Sequence, residues 1–402
     1  MAFRPREEIR VVACLFFILF MGVADNQVLS PLLPTIQIKF SKSATDMGFL
    51  FTGYAFCAGL SVLIWGPLSD AFGRKQGLMG GLILFLTGSF ISFFASGFAT
   101  LLAGRMLTGM GASMLSLNTI SYAADFFPYQ TRGWAMGSIF ASYFAALILG
   151  VPLGSLIGER WGWNVVFGAM GCMALCLFIG TQRMLPRLER KAIPIREMKP
   201  GAIILQYLGF MMARTTLSGL LSSLFASAGT MGFIAFLGAW LHDAFGIAAG
   251  QIGLVFLISG FGALLASPFA GAISDRIGKR IQFVLSSIVL AIFLFILPGM
   301  IWGLPLFVIF GAISLSAAFR QGPMEAILSE IVSSDSRGRF IALKNSFSQL
   351  GIGTATLLSG MLFEKSGYGA VCLLGATANV LAALSMMLVS RPKNLDSTKM
   401  EH

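Results

Sequence analysis

Long apolar runs separated by short polar turns fill the chain from end to end. A helix that crosses the hydrocarbon layer of a membrane needs about 20 apolar residues. By that measure the runs divide into twelve spans. The first six lie near 11–33, 46–69, 77–97, 100–126, 133–158 and 164–185, the second six near 217–241, 250–273, 281–301, 304–331, 338–363 and 368–390. An even number of spans puts both termini on one side. The first run is long and lacks a small-residue cleavage site, so it is expected to stay as a membrane helix rather than leave as a signal peptide. One long connection, about 186–216, carries Pro186, Pro194 and Pro200 and an apolar stretch from Ile203 to Met212 too short to span. That stretch reads as a helix lying along the membrane surface. The pattern predicts an all-α membrane protein with a first six-helix bundle over 1–186, a linker over 187–216 and a second bundle over 217–402.

The turn between spans 2 and 3 reads Gly66-Pro-Leu-Ser-Asp70-Ala-Phe-Gly73-Arg74-Lys75, and a second version lies 205 positions later as Gly271-Ala-Ile-Ser-Asp275-Arg-Ile-Gly278-Lys279-Arg280. At the same offset Asp125 falls on Glu330 and Arg132-Gly133 on Arg337-Gly338. A run of gapless matches marks two homologous halves, an internal duplication found in many transporters. The stretch resembles the cytoplasmic signature between helices 2 and 3 of the major facilitator superfamily, and the copy sits where that family has its helix 8–9 loop. Ala71 stands where the family usually has a basic residue, which Arg276 supplies in the second copy. The resemblance covers nearly the whole chain. It implies twelve transmembrane helices in two pseudo-symmetric six-helix bundles, with a central cavity lined by spans 1, 4, 7 and 10.

Composition narrows the function. With 56% hydrophobic residues, 11% charged and a mean hydropathy of +0.83, the chain cannot be two or three water-soluble domains. The formal charge of +11 suggests nucleic acid only until the basic residues are placed. Arg105, Arg214, Arg320 and Lys344 lie within or beside apolar runs; of the rest, 20 lie on the terminus side and four on the other. The positive-inside rule therefore makes both termini cytoplasmic, and a bacterial inner membrane is the expected location. Cys14, Cys57, Cys172, Cys176 and Cys372 all sit inside apolar runs without histidine or carboxylate company, so neither metal sites nor disulfides are expected. The histidines are His242 at a helix end and His402 at the terminus, and no nucleophile–base pair or phosphate loop is visible. The chain is expected to be neither an enzyme nor a cofactor binder. Short loops leave no mass for a receptor domain, and a monomer is expected.

Ionisable groups inside the hydrocarbon layer are costly and mark candidate function. Asp25 lies near the middle of span 1, ahead of Pro31 and Pro34, which are expected to bend or end that helix. It could take up a proton or pair with a cationic substrate. Arg105 precedes Gly109 and Gly111 in span 4, resembling the helix 4 signature of drug:proton antiporters. Arginine keeps its charge, so a neighbour must titrate, and Asp25 is the candidate. Span 10 carries Arg320, Gln321 and Glu325 around Gly322-Pro323, a pair that frees a carbonyl and permits a bend. Arg320 and Glu325 are expected to border the cavity, looking toward substrate or the other half. Asn118, opposite Pro323 under the 205 offset, is expected to face the same space; Asn345 and Gln349 are weaker candidates. In span 5, Gly150-Val-Pro152-Leu-Gly154 resembles the glycine–proline signature of exporters, with Val151 inserted, and should set a kink.

The resemblance also assigns a lock. In this family the loop aspartate meets a helix N-terminus in the opposite half, and a loop arginine pairs with an acid on helix 4. Asp70, Arg74 and Asp125 match those parts, with Asp275, Lys279 and Glu330 as a second set. Proton-coupled efflux of a small organic molecule is the expected function, with substrate, protons and lipid as partners and no nucleic acid. An anionic metabolite or lysolipid-like amphiphile is the alternative cargo, served by Arg105, Arg320 and Lys344. A non-transporting membrane sensor or scaffold is the alternative of another class.

Overall fold

The structure, a computed structural model, describes residues 5–188, 200–333 and 336–389. Among these every regular element is helical. The first half holds α1 (Pro5–Phe40), α2 (Ala44–Phe72), α3 (Arg74–Phe93), α4 (Phe98–Phe126), α5 (Tyr129–Ala145), α6 (Val151–Trp161) and α7 (Trp163–Met184). A single π-helical turn, Ala146–Gly150, joins α5 to α6, so these two form one spanning unit. The short α8 (Pro200–Met212) precedes α9 (Arg214–Phe245), α10 (Ala249–Ile277), α11 (Lys279–Ile296), α12 (Leu304–Glu330), α13 (Arg337–Ser366) and α14 (Tyr368–Met387). Twelve spans thus fall into two six-helix bundles, as expected. The basic residues Arg190, Lys191, Arg196 and Lys199 lie outside the described residues.

Ten of these units are both long and apolar enough to cross a membrane. The other two, α4 and α13, are as long but carry more polar residues. In α4, Arg105, Thr108, Asn118 and Thr119 are fully buried against other helices, and in α13 Lys344, Ser346, Thr356 and Ser359 are buried too. Their polarity faces protein, so it costs no contact with lipid.

Local chemistry explains the helix breaks. Gly73 and Gly278 adopt φ of 99° and 92° at the corresponding turns, a backbone that L side chains rarely take. Ser43 caps α2 by accepting from Asp46 N, while Asp46 Oδ2 accepts from Ser43 N, a reciprocal capping box. Pro152 lacks an N–H and its ring crowds the carbonyl four residues back; the π turn immediately before it absorbs that clash. Pro31 and Pro34, by contrast, do not end α1, which runs through both to Phe40. Pro34 deprives the Ser30 carbonyl of its helical donor, and that carbonyl instead packs directly on the bare backbone of Gly238 in α9. Gly322-Pro323 likewise leaves α12 continuous.

The halves meet through α1 with α9, α2 with α13, and α6 with α10. Helices α2 and α13 pack along their full length, with Gly48 on Thr356, Gly59 on Gln349 and Gly66 on Ala342. Helix α10 behaves differently. Gly250, Gly253 and Gly260 press on Glu159, Pro152 and Ile148, whereas Gly271, and Gly133 and Gly137 of α5, have nothing within 4 Å of their bare faces. The bundles are therefore in close contact through α10 on the face away from the termini, and toward the terminus face the contact runs through α2 and α13. Gly150, Gly154 and Gly158 form a stripe on which Ala24, Val28 and Leu32 of α1 lie. This wedges the π turn and α6 between α1 and α10, beside Asp25.

Candidate functional site

At mid-depth in the first half, Arg105 Nη1 donates to Asp25 Oδ2 at 2.8 Å. The side chains are 0% and 1% exposed. The neighbour expected for Arg105 is the one it has. The guanidinium also lies over two rings, 4.7 Å from the centroid of Tyr54 and 5.4 Å from that of Phe167, so cation–π attraction supplements the ion pair. Asp25 Oδ1 and Arg105 Nε and Nη2 have no hydrogen-bond partner among the described residues. A buried pair that leaves hydrogen-bonding capacity unused is a poor way to gain stability, since the desolvation of two charges offsets much of their attraction.

Span 10 departs from expectation. Arg320 is 4% exposed and does not border a cavity. It turns into its own bundle, where Nη2 donates to Ala226 O at 2.9 Å and to Thr230 Oγ1 at 2.7 Å, and Nη1 donates to Asn379 Oδ1. Asn379 in turn donates to Gly229 O at 3.2 Å and Gly375 O at 2.8 Å. The guanidinium fork reaches several acceptors at once, which stabilises it without a carboxylate. Thr230 lies 205 positions after Asp25. Each half thus sets an arginine from its fourth spanning helix against the matching position of its first, with a carboxylate in one half and a hydroxyl in the other. Glu325 separates from Arg320 and pairs with Lys344 of α13 at 2.7 Å, and Gln321 Nε2 donates to the same oxygen at 3.3 Å. Glu325 is 43% exposed and Lys344 7%; Gln321 and Gly322 are exposed beside them.

Asn118 also departs from expectation: it is fully buried and faces α2 and α3 rather than the central space. Its Oδ1 accepts from Ser69 Oγ, and its Nδ2 donates to Met114 O at 2.8 Å. Ser69 Oγ accepts from Arg74 Nη1 at 2.9 Å, and Arg74 Nε lies 3.3 Å from Asp125 Oδ2. One chain of bonds therefore runs from the glycine-bounded turn into the middle of α4. The matching pair in the second half, Lys279 with Glu330, is 2.6 Å apart. Lys75 Nζ closes the end of α7 by donating to Gln182 O and Leu185 O at 2.9 and 2.5 Å. Asp275 is exposed in the last turn of α10, and the side chain of Asp70 lies outside the described residues. The arginine–acid and lysine–acid pairs lie each within one half. Where Asn118 sits, a side chain at Gly77 would collide with it.

Reading the chain alone missed Gln282, which is 205 positions after Gly77. Its Nε2 donates to Ala270 O at 2.8 Å and to Phe319 O at 2.9 Å. Phe319 O is the carbonyl that Pro323 frees, four residues on. Gln282 therefore satisfies the backbone that proline leaves open and staples α10, α11 and α12 together. Replacing it with leucine should orphan that carbonyl and cost about 1–3 kcal/mol, measured as a lower thermal midpoint in detergent; an unchanged midpoint would show that the staple carries no load. The signal was available, because a glutamine in an apolar run at a duplicated position needs a buried partner. Thr230 and Asn379 were legible only once Arg320 had been placed.

Comparison with known proteins agrees with this geometry. The chain is 26% identical over 377 residues to the MFS-type transporter YceJ of Bacillus subtilis (strain 168), covering 93% of this chain and 94% of that one. To the MFS-type transporter YwfA of the same organism it is 28% identical over 380 residues, covering 90% and 87%. Among solved structures, a D-xylose–proton symporter superposes with a TM-score of 0.77 at 19% identity, covering 94% and 96%. The inward-open xylose transporter XylE of E. coli gives 0.74 at 18% identity, covering 96% of this chain and 97% of that one. These two show the shared fold. The model of the Major Facilitator Superfamily matches residues 15–223 and again 219–402, one match for each bundle. Two bundles related by a fixed offset, held by a duplicated set of turn charges and matched throughout by that model, mean that the chain belongs to the Major Facilitator Superfamily.

Proposed function

We propose that this transporter exports a small organic molecule in exchange for protons, by alternating access across a membrane whose cytoplasmic face holds both termini. The buried Asp25–Arg105 pair is the observation that carries this reading. Asp25 Oδ1 has no donor among the described residues, so a proton can add there without displacing Arg105 from Oδ2. Protonation removes the counter-charge of a cation held between two rings, and the pair must then loosen or rehydrate. The glycine stripe of the π turn and α6 rests on α1 at Ala24 and Val28, on either side of Asp25 in sequence. Movement of α1 is therefore felt at the α6–α10 contact between the halves. With the termini cytoplasmic, the halves are in close contact on the outer face through α6 and α10, and along α2 and α13 they stay in contact as far as Gly66 and Ala342.

In this reading Glu325, held by Gln321 and the buried Lys344, offers the exposed charge of the second half to the cargo. Asp70, Arg74, Asp125, Asp275, Lys279 and Glu330 form the inner lock, and the chain divides into bundles at 187–216. The D-xylose–proton symporter of the same fold supports protons as the coupling ion and offers no support for export. Everted membrane vesicles carrying the protein decide direction and cargo class together. With the lumen acidified, lipophilic organic cations such as ethidium should enter and release lumenal protons, seen with a pH-sensitive dye. Proton release with none of a panel of organic cations, anions and neutral sugars, from protein shown to be folded, would refute the exchange.

A further inference from the structure

The two ends of the molecule away from the termini carry a feature that the inner lock does not explain. Glu159, in the last turn of α6, accepts from Gly250 N at the start of α10 at 2.7 Å. Glu364, in the last turns of α13, accepts from Thr45 N at 3.2 Å and Thr45 Oγ1 at 2.6 Å at the start of α2. Glu364 lies 205 positions after Glu159, and Gly250 lies 205 after Thr45. The same contact is therefore made twice, each time from one half to the other. Helix N-termini carry unsatisfied N–H groups and a partial positive charge, so a carboxylate placed there is held by both.

We propose that Glu159 and Glu364 are a matched pair of outer latches, which hold the outer face shut and must release before it can open. This rests on the alternating-access reading above. Opening the outer face separates α6 from α10 and α13 from α2, so both bonds must break. The Arg74–Asp125 and Lys279–Glu330 pairs each lie within one half and can persist through the same motion. Ordinary helix capping does not account for the arrangement. Helix α2 already has its own reciprocal cap from Ser43 and Asp46, yet Glu364 still reaches it. At the matching position α10 has Ala248, which offers no side-chain cap, and Glu159 from the other half supplies one. At Gly250 a methyl would lie 2.5 Å from Glu159 Oε2, so the carboxylate would have to shift to make room for it. The hydroxyl and amide of Thr45 hold the Glu364 carboxyl below the usual carboxylate range, keeping it charged.

The test uses the full chain in lipid nanodiscs, with its five cysteines replaced and spin labels at Lys39 and Ala244 on the outer ends of α1 and α9. The Glu159→Gln/Glu364→Gln variant should raise the open-to-closed ratio in the distance distribution about tenfold, as two helix-end charges of ordinary strength would. Gly250→Ala should shift it the same way by displacing Glu159, and should add little to Glu159→Gln because both remove one bond. An unchanged distribution in the double variant, or full additivity of Gly250→Ala with Glu159→Gln, would overturn the latches. If the double variant does not fold, Gly250→Ala and Thr45→Val keep both carboxylates and give the same readout: a shift toward open supports the latches, and none overturns them. The distances need no substrate, so they fail or succeed independently of the vesicle assay. Flux with outer distances unmoved by the latch variants would sink the latches alone, and shifted distances without flux would sink the exchange alone.

Discussion

Asp25→Asn is expected to abolish transport driven by a pH gradient while leaving gradient-independent exchange of the same substrate across the membrane. The asparagine keeps the shape of the carboxylate and one oxygen for Arg105, but it neither titrates nor neutralises the guanidinium. Removing one partner of a buried pair costs about 3–5 kcal/mol because the other charge is left uncompensated. Here Tyr54 and Phe167 recover part of that loss, so the variant should fold with a clearly lower thermal midpoint. Adding Arg105→Gln should restore most of the stability and none of the coupling. That split separates a coupling pair from a structural one. Normal gradient-driven accumulation by Asp25→Asn would remove the pair from the mechanism.

Asn379→Leu should be the most damaging single change in the second bundle. It takes from Arg320 its amide acceptor and removes the side-chain donor that ties Gly229 O of α9 to Gly375 O of α14. Thr230 and Ala226 O remain, but the cation then sits in a buried site short of acceptors, a loss of about 3–5 kcal/mol. Combining it with Arg320→Met removes both polar partners, and replacing a whole buried polar set with apolar groups is often nearly neutral. Recovered stability together with recovered transport would make Arg320 a bundle fastener. Recovered stability with transport still lost would return it to the substrate path, which its burial argues against.

How much of this was legible depends on what each residue's neighbours are. Spans, duplication and family could be read because lipid imposes one requirement on every helix, and because the turn charges repeat at a fixed spacing. Asp25 and Arg105 could be paired because each is too costly to bury alone. Arg320 could not be placed, since an arginine can be satisfied by carbonyls, a hydroxyl and an amide as well as by an acid, and those are on every helix. Asn118 misled for a related reason. Its offset partner Pro323 suggested a shared cavity-facing position, whereas its real neighbours are Ser69 and the empty face of Gly77. Pro31 and Pro34 do not end α1, and the carbonyls that Pro34 and Pro323 free are met from adjacent helices by Gly238 and Gln282.

The exchange of Gly77 and Asn118 in one bundle for Gln282 and Pro323 in the other bears on how the halves diverged. In the first bundle the amide comes from the fourth spanning helix and the third makes room for it; in the second the amide comes from the third, and the fourth supplies a bare carbonyl to receive it. The first bundle has no space for both amides, since a side chain at Gly77 would meet Asn118. The third and fourth spanning helices are therefore matched to each other within each bundle, and a change on one calls for a change on the other. Swapping the third-helix residue alone puts a side chain against Asn118 in one bundle and leaves Phe319 O without Gln282 in the other, so a chimera that exchanges third spanning helices must carry the fourth along with it.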